Sequence, residues 1–174
     1  IVHQQISQGK LSWNDHVKIT PAVAKLSTAS GLTNVPLKSG HSYSVRALVN
    51  ATLVASANAA AIALGQEVSG SSSQFAAKLN QTAKNLGITD AKFYNDSGLT
   101  NKLTGGLALK GVNANAENEL SASDVALLAS RLLKRFPKVT QITSQAQSSF
   151  YGTAISGHNE LLGNKQIARG AVVD

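Results

Sequence analysis

Residues 43–65 read YSVRALVNATLVASANAAAIALG, and this stretch decides the fold class of the chain. In its first half, apolar side chains recur at helical spacing behind Ser44, a good helix N-cap, which predicts a helix over residues 44–54. Its second half begins a second predicted helix, residues 59–68, whose Ala-Ala-Ala-Ile-Ala-Leu run at 59–64 has no polar side chain. A helix that is apolar nearly all round is a buried one. The stretch therefore predicts an amphipathic helix followed by a central, buried helix.

The tripeptide Ser56-Ala57-Asn58 lies in the break between these two helices. A hydroxyl and a carboxamide two residues apart at a rigid junction project into the same space, and the next helix directs its first amide donors the same way. This pattern indicates a candidate binding or catalytic site. The simpler explanation is that Asn58 caps the second helix and Ser56 completes a turn. These residues alone leave both explanations open.

The remaining segments predict further helices joined by short strands and loops. Residues 73–86 predict a third helix that Gly87 ends, and residues 121–137 predict a fourth with Ser121 as its N-cap. Residues 21–40 are rich in Ser, Thr, Gly and Pro, and they predict a long irregular connection; residues 100–118 predict a loop. Strands are predicted for residues 16–20, 91–95, 147–156 and 167–173.

Composition excludes several kinds of chemistry. The 174 residues carry a net charge of +7 and no cysteine, so thiolate catalysis and cysteine-ligated zinc are excluded. The four histidines lack the i, i+4 spacing of a helical metal motif, so no metal site is predicted. A basic stripe in the last turns of the fourth helix is typical of a solvated helix C-terminus. Aromatic residues make up 5% of the chain, which disfavours a nucleic-acid partner.

Five segments resemble, in order, the low-molecular-mass penicillin-binding proteins, which are serine-type D-alanyl-D-alanine carboxypeptidases. That family has a helix leading into S-x-N, a buried Ala-rich helix, a helix ending in Leu-Gly, and then F-x-N-x-x-G-L. The resemblance spans nearly the whole chain. The matching segments are residues 43–65, FAAKLNQTAKNLGI (75–88), FYNDSGL (93–99), SASDVALLASRLLKRFP (121–137) and HNELLG (158–163).

The resemblance implies an α+β fold of the β-lactamase and DD-peptidase type, in which a helical lobe packs on part of an antiparallel sheet. The helical lobe is expected at approximately residues 44–137. The flanking parts, residues 10–43 and 138–174, are expected to be strand-rich. Residues 1–174 together are expected to form a partial DD-peptidase catalytic domain.

The resemblance also implies that catalytic residues are missing from this chain. The family mechanism uses S-x-x-K, S-x-N and K-T-G, and of these only Ser56-Ala57-Asn58 is credible here. No Lys-Thr-Gly occurs. Ser7-Gln8-Gly9-Lys10 matches S-x-x-K as a string, but Gly9 is expected to end a helix, whereas the family motif opens one. We therefore expect the chain to be truncated at both ends and inactive by itself.

Each matching residue takes a role from the family. There, the serine of S-x-x-K attacks the carbonyl of the penultimate D-Ala while its lysine accepts the proton, and water hydrolyses the acyl-enzyme. Ser56 would be the catalytic hydroxyl that relays a proton to the leaving D-Ala amine. Asn58 would hydrogen-bond the substrate peptide and help to hold the lysine. Asn159 would be a substrate-binding residue near the cleft.

The partners implied are a peptidoglycan stem peptide ending in D-Ala-D-Ala and β-lactam antibiotics, with no cofactor, no metal and no nucleic acid. Such a substrate implies an extracytoplasmic location, at the cell wall or the outer face of the cytoplasmic membrane. A basic surface suits an anionic wall. Membrane anchoring of the parent protein, its source and its oligomeric state stay open.

Two other functions fit parts of the pattern. A class A β-lactamase shares the fold and the S-x-N element, but it needs a glutamate in an E-x-x-L-N pattern to activate water, and none of Glu67, Glu117, Glu119 and Glu160 lies in one. The chain also fits a non-catalytic cell-wall-binding homologue that kept the fold. Whether the parent protein contains S-x-x-K distinguishes this homologue from an enzyme.

Overall fold

The computed structural model describes residues 1–163, and the strand predicted for residues 167–173 lies outside this part. Helices and short strands alternate as far as α3, after which helices predominate up to the final pair of strands. The helices are α1 (Val2–Ser7), α2 (Pro21–Ser27), α3 (Val45–Val54), α4 (Asn58–Ser69), α5 (Ser72–Asn85), α6 (Ala122–Arg135) and α7 (Thr140–Thr143). The strands are β1 (His16–Lys18), β2 (Ser42–Ser44), β3 (Gln147–Phe150) and β4 (Thr153–Ser156). Short 3-10 helices cover Asn101–Leu107, Pro137–Val139 and Glu160–Gly163.

Helix α4 is the centre of the core. It contacts α1, α2, α3, α5 and β1, and six of its twelve residues are buried. Its almost continuous apolar sequence allows burial on several sides at once, because no face has to stay in water. The prediction of a central, buried helix is confirmed. Helix α3 packs against α4 and also contacts α7 and the strands β2, β3 and β4, and five of its ten residues are buried.

The prediction of an irregular connection over residues 21–40 is wrong at its start. Helix α2 covers Pro21–Ser27, and the Thr20 hydroxyl accepts a hydrogen bond from Val23 N at 3.3 Å. Proline suits the first helical position because its missing N–H would be unpaired there anyway. Val23 and Leu26 are buried against the core. A seven-residue helix has too few turns to show a sustained period, and burial against α4 stabilises it instead.

Two predictions in the middle of the chain also need correction. Residues 91–95 form only an isolated bridge between Lys92 and Glu119, not a strand. The predicted loop over residues 100–118 contains the 3-10 helix Asn101–Leu107. The buried Asn101 side chain organises this segment, since it donates to Leu109 O and Val112 O and accepts from Leu109 N. These hydrogen bonds span 8 and 11 residues, beyond the reach of a local pattern.

The strands form two antiparallel pairs. Strand β1 pairs with β2, with His16 opposite Ser44, and β3 pairs with β4, with Gln147 opposite Ser156. The second pair is a hairpin that lies within the predicted strand region 147–156. Tyr43 of β2 stacks on Phe150 of β3 with ring centroids 5.3 Å apart, so the two pairs share one apolar contact. Helices with small antiparallel sheets confirm the predicted α+β class.

Helix α6 confirms the predicted fourth helix and its start. Ser121 accepts from Asp124 N at 3.2 Å, and the Asp124 carboxylate accepts from Ser121 N, which is a complete capping box. The helix ends before Pro137. Within residues 1–163, no helix combines the length and the apolar character that crossing a bilayer requires.

Candidate active site

Ser56 lies in a tight turn between α3 and α4, and its side chain is exposed. Its φ of +51° is in the left-handed region, which is uncommon for a residue with a side chain. The Ala51 carbonyl holds the turn by accepting from Ala55 N at 3.2 Å and from Ala57 N at 3.1 Å. Ala57 is buried beneath it. The hydroxyl of Ser56 is thus presented to solvent by a backbone that the core holds in place.

Asn58 is the first residue of α4, and it is tied to a distant loop rather than to its own helix. Its backbone N–H and its side-chain Nδ2 both donate to Thr33 O, at 3.1 and 2.9 Å. An amide side chain has two N–H donors and a carbonyl oxygen, so this bond uses only part of its capacity. Asn58 therefore does not cap α4 through its side chain, so this part of the simpler explanation is wrong, whereas Ser56 does lie in a turn.

The side chain that caps α4 belongs to Asn34. Its Oδ1 accepts from Ala59 N at 2.8 Å, and its Nδ2 donates to Leu26 O at 3.0 Å. The first N–H groups of a helix have no partner within the helix, so an acceptor from elsewhere satisfies one of them. Sequence reasoning missed Asn34 and Thr33 because Asn34 and the residue it caps are 25 positions apart. No local signal marks such a cap.

The segment that carries Asn159 passes the same end of α3 as Ser56. Gly157 N donates to Ala146 O at 2.8 Å, and a Cβ built on Gly157 would lie 3.6 Å from Val54 O. Asn159 follows two residues later and is half-buried. Its carbonyl accepts from Leu162 N at 3.3 Å, at the start of the last 3-10 helix. The described structure thus brings the segment that carries Asn159 to the end of α3.

The S-x-x-K string that begins at Ser7 lies at the C-terminal end of a helix, whereas the family motif lies at a helix N-terminus. Ser7 is the last residue of α1 and donates to Gln4 O at 2.9 Å. Gly9 has a φ of +68° and follows the helix, as predicted. Ser7 therefore lacks the free amide donors that a helix N-terminus offers to a nucleophile. Ser7 is therefore not a candidate nucleophile.

A buried carboxyl group, Asp96, lies against α4 beside Gly65. Within residues 1–163, neither of its oxygens accepts a hydrogen bond of good geometry from another residue. Burial raises the pKa of Asp96 to about 7, against a smaller opposing effect of its own backbone N–H. Sequence reasoning missed this group because Asp96 lies in a turn sequence, where aspartate is common and usually exposed.

The part of the chain that the structure describes contains no cluster of three or more His, Asp or Glu side chains that could hold a metal ion. The polar groups gathered at the end of α3 are a hydroxyl, carboxamides and backbone carbonyls. Such groups can orient a peptide and relay a proton between a hydroxyl and a bound substrate.

Comparison with known proteins assigns the chain to a family. Residues 1–171 match the D-alanyl-D-alanine carboxypeptidase family, and the chain belongs to it. The D-alanyl-D-alanine carboxypeptidase DacF of Bacillus subtilis (strain 168) is 27% identical over 143 residues, which are 82% of this chain and 32% of that protein.

Solved structures show the same fold. The peptidoglycan synthesis regulatory factor PBP3 of Streptococcus pneumoniae superposes with a TM-score of 0.91 at 36% identity, over 97% of this chain and 47% of that one. Penicillin-binding protein D2 of Listeria monocytogenes, in its ampicillin-bound form, has a TM-score of 0.73 at 26% identity, over 94% of this chain and 59% of that one. The chain thus spans about a third of the curated relative and about half of these structures.

Proposed function

We propose that the whole protein containing this chain is a serine-type D-alanyl-D-alanine carboxypeptidase. It removes the terminal D-Ala from peptidoglycan stem peptides through a serine acyl-enzyme and is acylated by penicillins. The observation that carries the proposal is the family match over residues 1–171 together with an exposed Ser56 and a tethered Asn58 at one helix junction. The ampicillin-bound form of the Listeria relative supports a β-lactam ligand.

The proposed mechanism divides the catalytic groups between this chain and the rest of the protein. Residues 1–174 contain no Lys-Thr-Gly and no S-x-x-K at a helix N-terminus, so the nucleophilic serine and its lysine come from elsewhere in the protein. Ser56 relays the proton to the leaving D-Ala amine. Asn58, with one amide N–H held by Thr33 O, offers its remaining groups to the substrate peptide and the lysine. Asn159 contacts the substrate from the adjoining loop.

The substrate class also supports a location for the reaction. Stem peptides ending in D-Ala-D-Ala lie outside the cytoplasmic membrane, so we place the enzyme at the cell wall or the outer face of that membrane. The net charge of +7 favours approach to an anionic wall.

The proposal predicts that removing the Ser56 hydroxyl lowers D-Ala release by the full-length protein about a hundredfold, the lower end of what one proton-transfer group contributes. Ser56→Gly is the better deletion, because the positive φ at this position strains alanine but not glycine. Asn58→Ala should lower D-Ala release as well. The measurements are D-Ala release from a peptide ending in D-Ala-D-Ala and covalent labelling by fluorescent penicillin.

Two controls accompany this test. Ser130→Ala and Asn115→Ala remove the same functional groups from exposed positions and should leave the rate unchanged. The 174-residue chain alone should neither release D-Ala nor become labelled. Full activity of Ser56→Gly and Asn58→Ala would contradict the proposal. Labelling of the 174-residue chain would show that its nucleophile lies within residues 1–174.

A further inference from the structure

The loop before β2 holds the start of α4 through the Asn34 side chain and the Thr33 carbonyl. Asn34 connects two helices, because its Oδ1 accepts from Ala59 N at 2.8 Å in α4 and its Nδ2 donates to Leu26 O at 3.0 Å in α2. Both ends of this carboxamide are used. Any movement of the loop relative to α4 must therefore break at least one of these bonds.

The residue next to Asn34 orients the Asn58 carboxamide. Thr33 O accepts from both Asn58 N and Asn58 Nδ2, at 3.1 and 2.9 Å. The position of this carbonyl is set by the peptide that links Thr33 to Asn34. The geometry of the candidate catalytic amide thus depends on the neighbouring side chain that caps α4.

The far side of the loop is anchored independently. Val35 and Leu37 are buried, and Leu37 N donates to the Ser27 hydroxyl at 2.8 Å. Ser27 makes no contact with the Ser56 turn among its hydrogen bonds, which go to Ala24 and Leu37. Ser27 and Asn34 therefore stabilise the same loop, but only Asn34 reaches the turn. Variants at these two positions therefore distinguish an effect on the stability of the loop from an effect on the position of the turn.

We propose that Asn34 is a positioning residue for catalysis, which holds Asn58 and Ser56 in register with the substrate from outside the S-x-N motif. This inference rests on the proposed function. Replacing Asn34 by an apolar side chain leaves Ala59 N without its acceptor and releases the Thr33 carbonyl. A catalytic group displaced by about 1 Å can lose about a hundredfold in rate, so a small shift of this turn is sufficient to slow turnover.

The test compares three variants of the full-length protein. Asn34→Leu keeps the approximate volume and removes both hydrogen bonds. Asn34→Asp keeps the acceptor for Ala59 N and adds a negative charge that suits a helix N-terminus, but it loses the donor to Leu26 O. Ser27→Ala is the matched control that loosens the same loop without touching the turn. Asn34→Ser replaces Asn34→Leu if the latter does not fold, because its shorter side chain cannot make both bonds.

The expected result is a loss in kcat rather than in KM. Asn34→Leu should lower kcat for D-Ala release at least about tenfold with KM changed less than about threefold, whereas Asn34→Asp should stay within about threefold of wild type in kcat. Ser27→Ala should reduce the melting temperature while kcat stays within about twofold of wild type. Amide hydrogen exchange at Ala59 should be faster in Asn34→Leu and close to wild type in Asn34→Asp.

Three outcomes would overturn the inference. In the first, Asn34→Leu keeps wild-type kcat while Ser56→Gly loses it, so the proposed function stands and the positioning role fails. In the second, Ser27→Ala loses as much kcat as Asn34→Leu, so Asn34 only stabilises the loop. In the third, Asn34→Asp restores protection of Ala59 but not kcat. If Ser56→Gly and Asn58→Ala are both fully active, the proposed function is itself contradicted, and the positioning role of Asn34 with it.

Discussion

Replacing Asp96 by Asn should stabilise the protein by an amount that grows with pH. The folded pKa of about 7 lies above the ordinary value of 3.8, so the unfolded chain loses its proton before the folded chain does. Stability contributed by protonated Asp96 is therefore present at low pH, falls as pH rises through this window, and is fully lost above about pH 7. The difference in unfolding free energy between Asp96→Asn and wild type should increase by about 4 kcal/mol from pH 4 to pH 8.

Urea unfolding across that pH range measures this difference directly. Glu117→Gln is the matched control, because Glu117 is an exposed carboxylate in the same region of the chain. Its effect on the unfolding free energy should be small, as for most substitutions at exposed positions. A stability difference for Asp96→Asn that does not change between pH 4 and pH 8 would show that Asp96 is solvated in the folded protein.

Replacing Gly65 by Ala should destabilise the protein by about 3 kcal/mol, the upper part of the usual range for overpacking a core. On helix propensity alone the same change should stabilise by about 1 kcal/mol. Gly65 is buried in α4, and a Cβ there would overlap the Asp96 carboxylate and lie 2.9 Å from Phe75 Cδ1. The steric overlap with buried neighbours should cost more free energy than the higher helix propensity of alanine gains. Gly65→Ala should therefore destabilise the protein.

A double-mutant cycle with Asp96→Ala identifies the source of this cost. Shortening the Asp96 side chain removes the overlapping carboxylate and leaves only the contact with Phe75. Gly65→Ala should then cost roughly 1 kcal/mol, the lower end of the overpacking range. Equal costs in both backgrounds would mean that the Asp96 side chain does not lie over Gly65.

The candidate site was partly predictable. The position of Ser56 and Asn58 at a helix junction follows from the local sequence, because the amphipathic and the fully apolar patterns meet there. The contacts that orient Asn58 do not follow from it. They come from Thr33 and Asn34, in a stretch whose first third forms α2 rather than the predicted irregular connection.

Local sequence patterns predict the long helices, the buried character of α4 and the start of α6 at Ser121. These features depend on periodicity and on capping groups within a few residues, which a linear pattern records. Three other features come from the packed structure: helix α2, the cap that Asn34 gives to α4, and the burial of Asp96 beside Gly65. Each of these depends on contacts between groups that are distant in sequence, and such contacts form only when the chain has packed around α4.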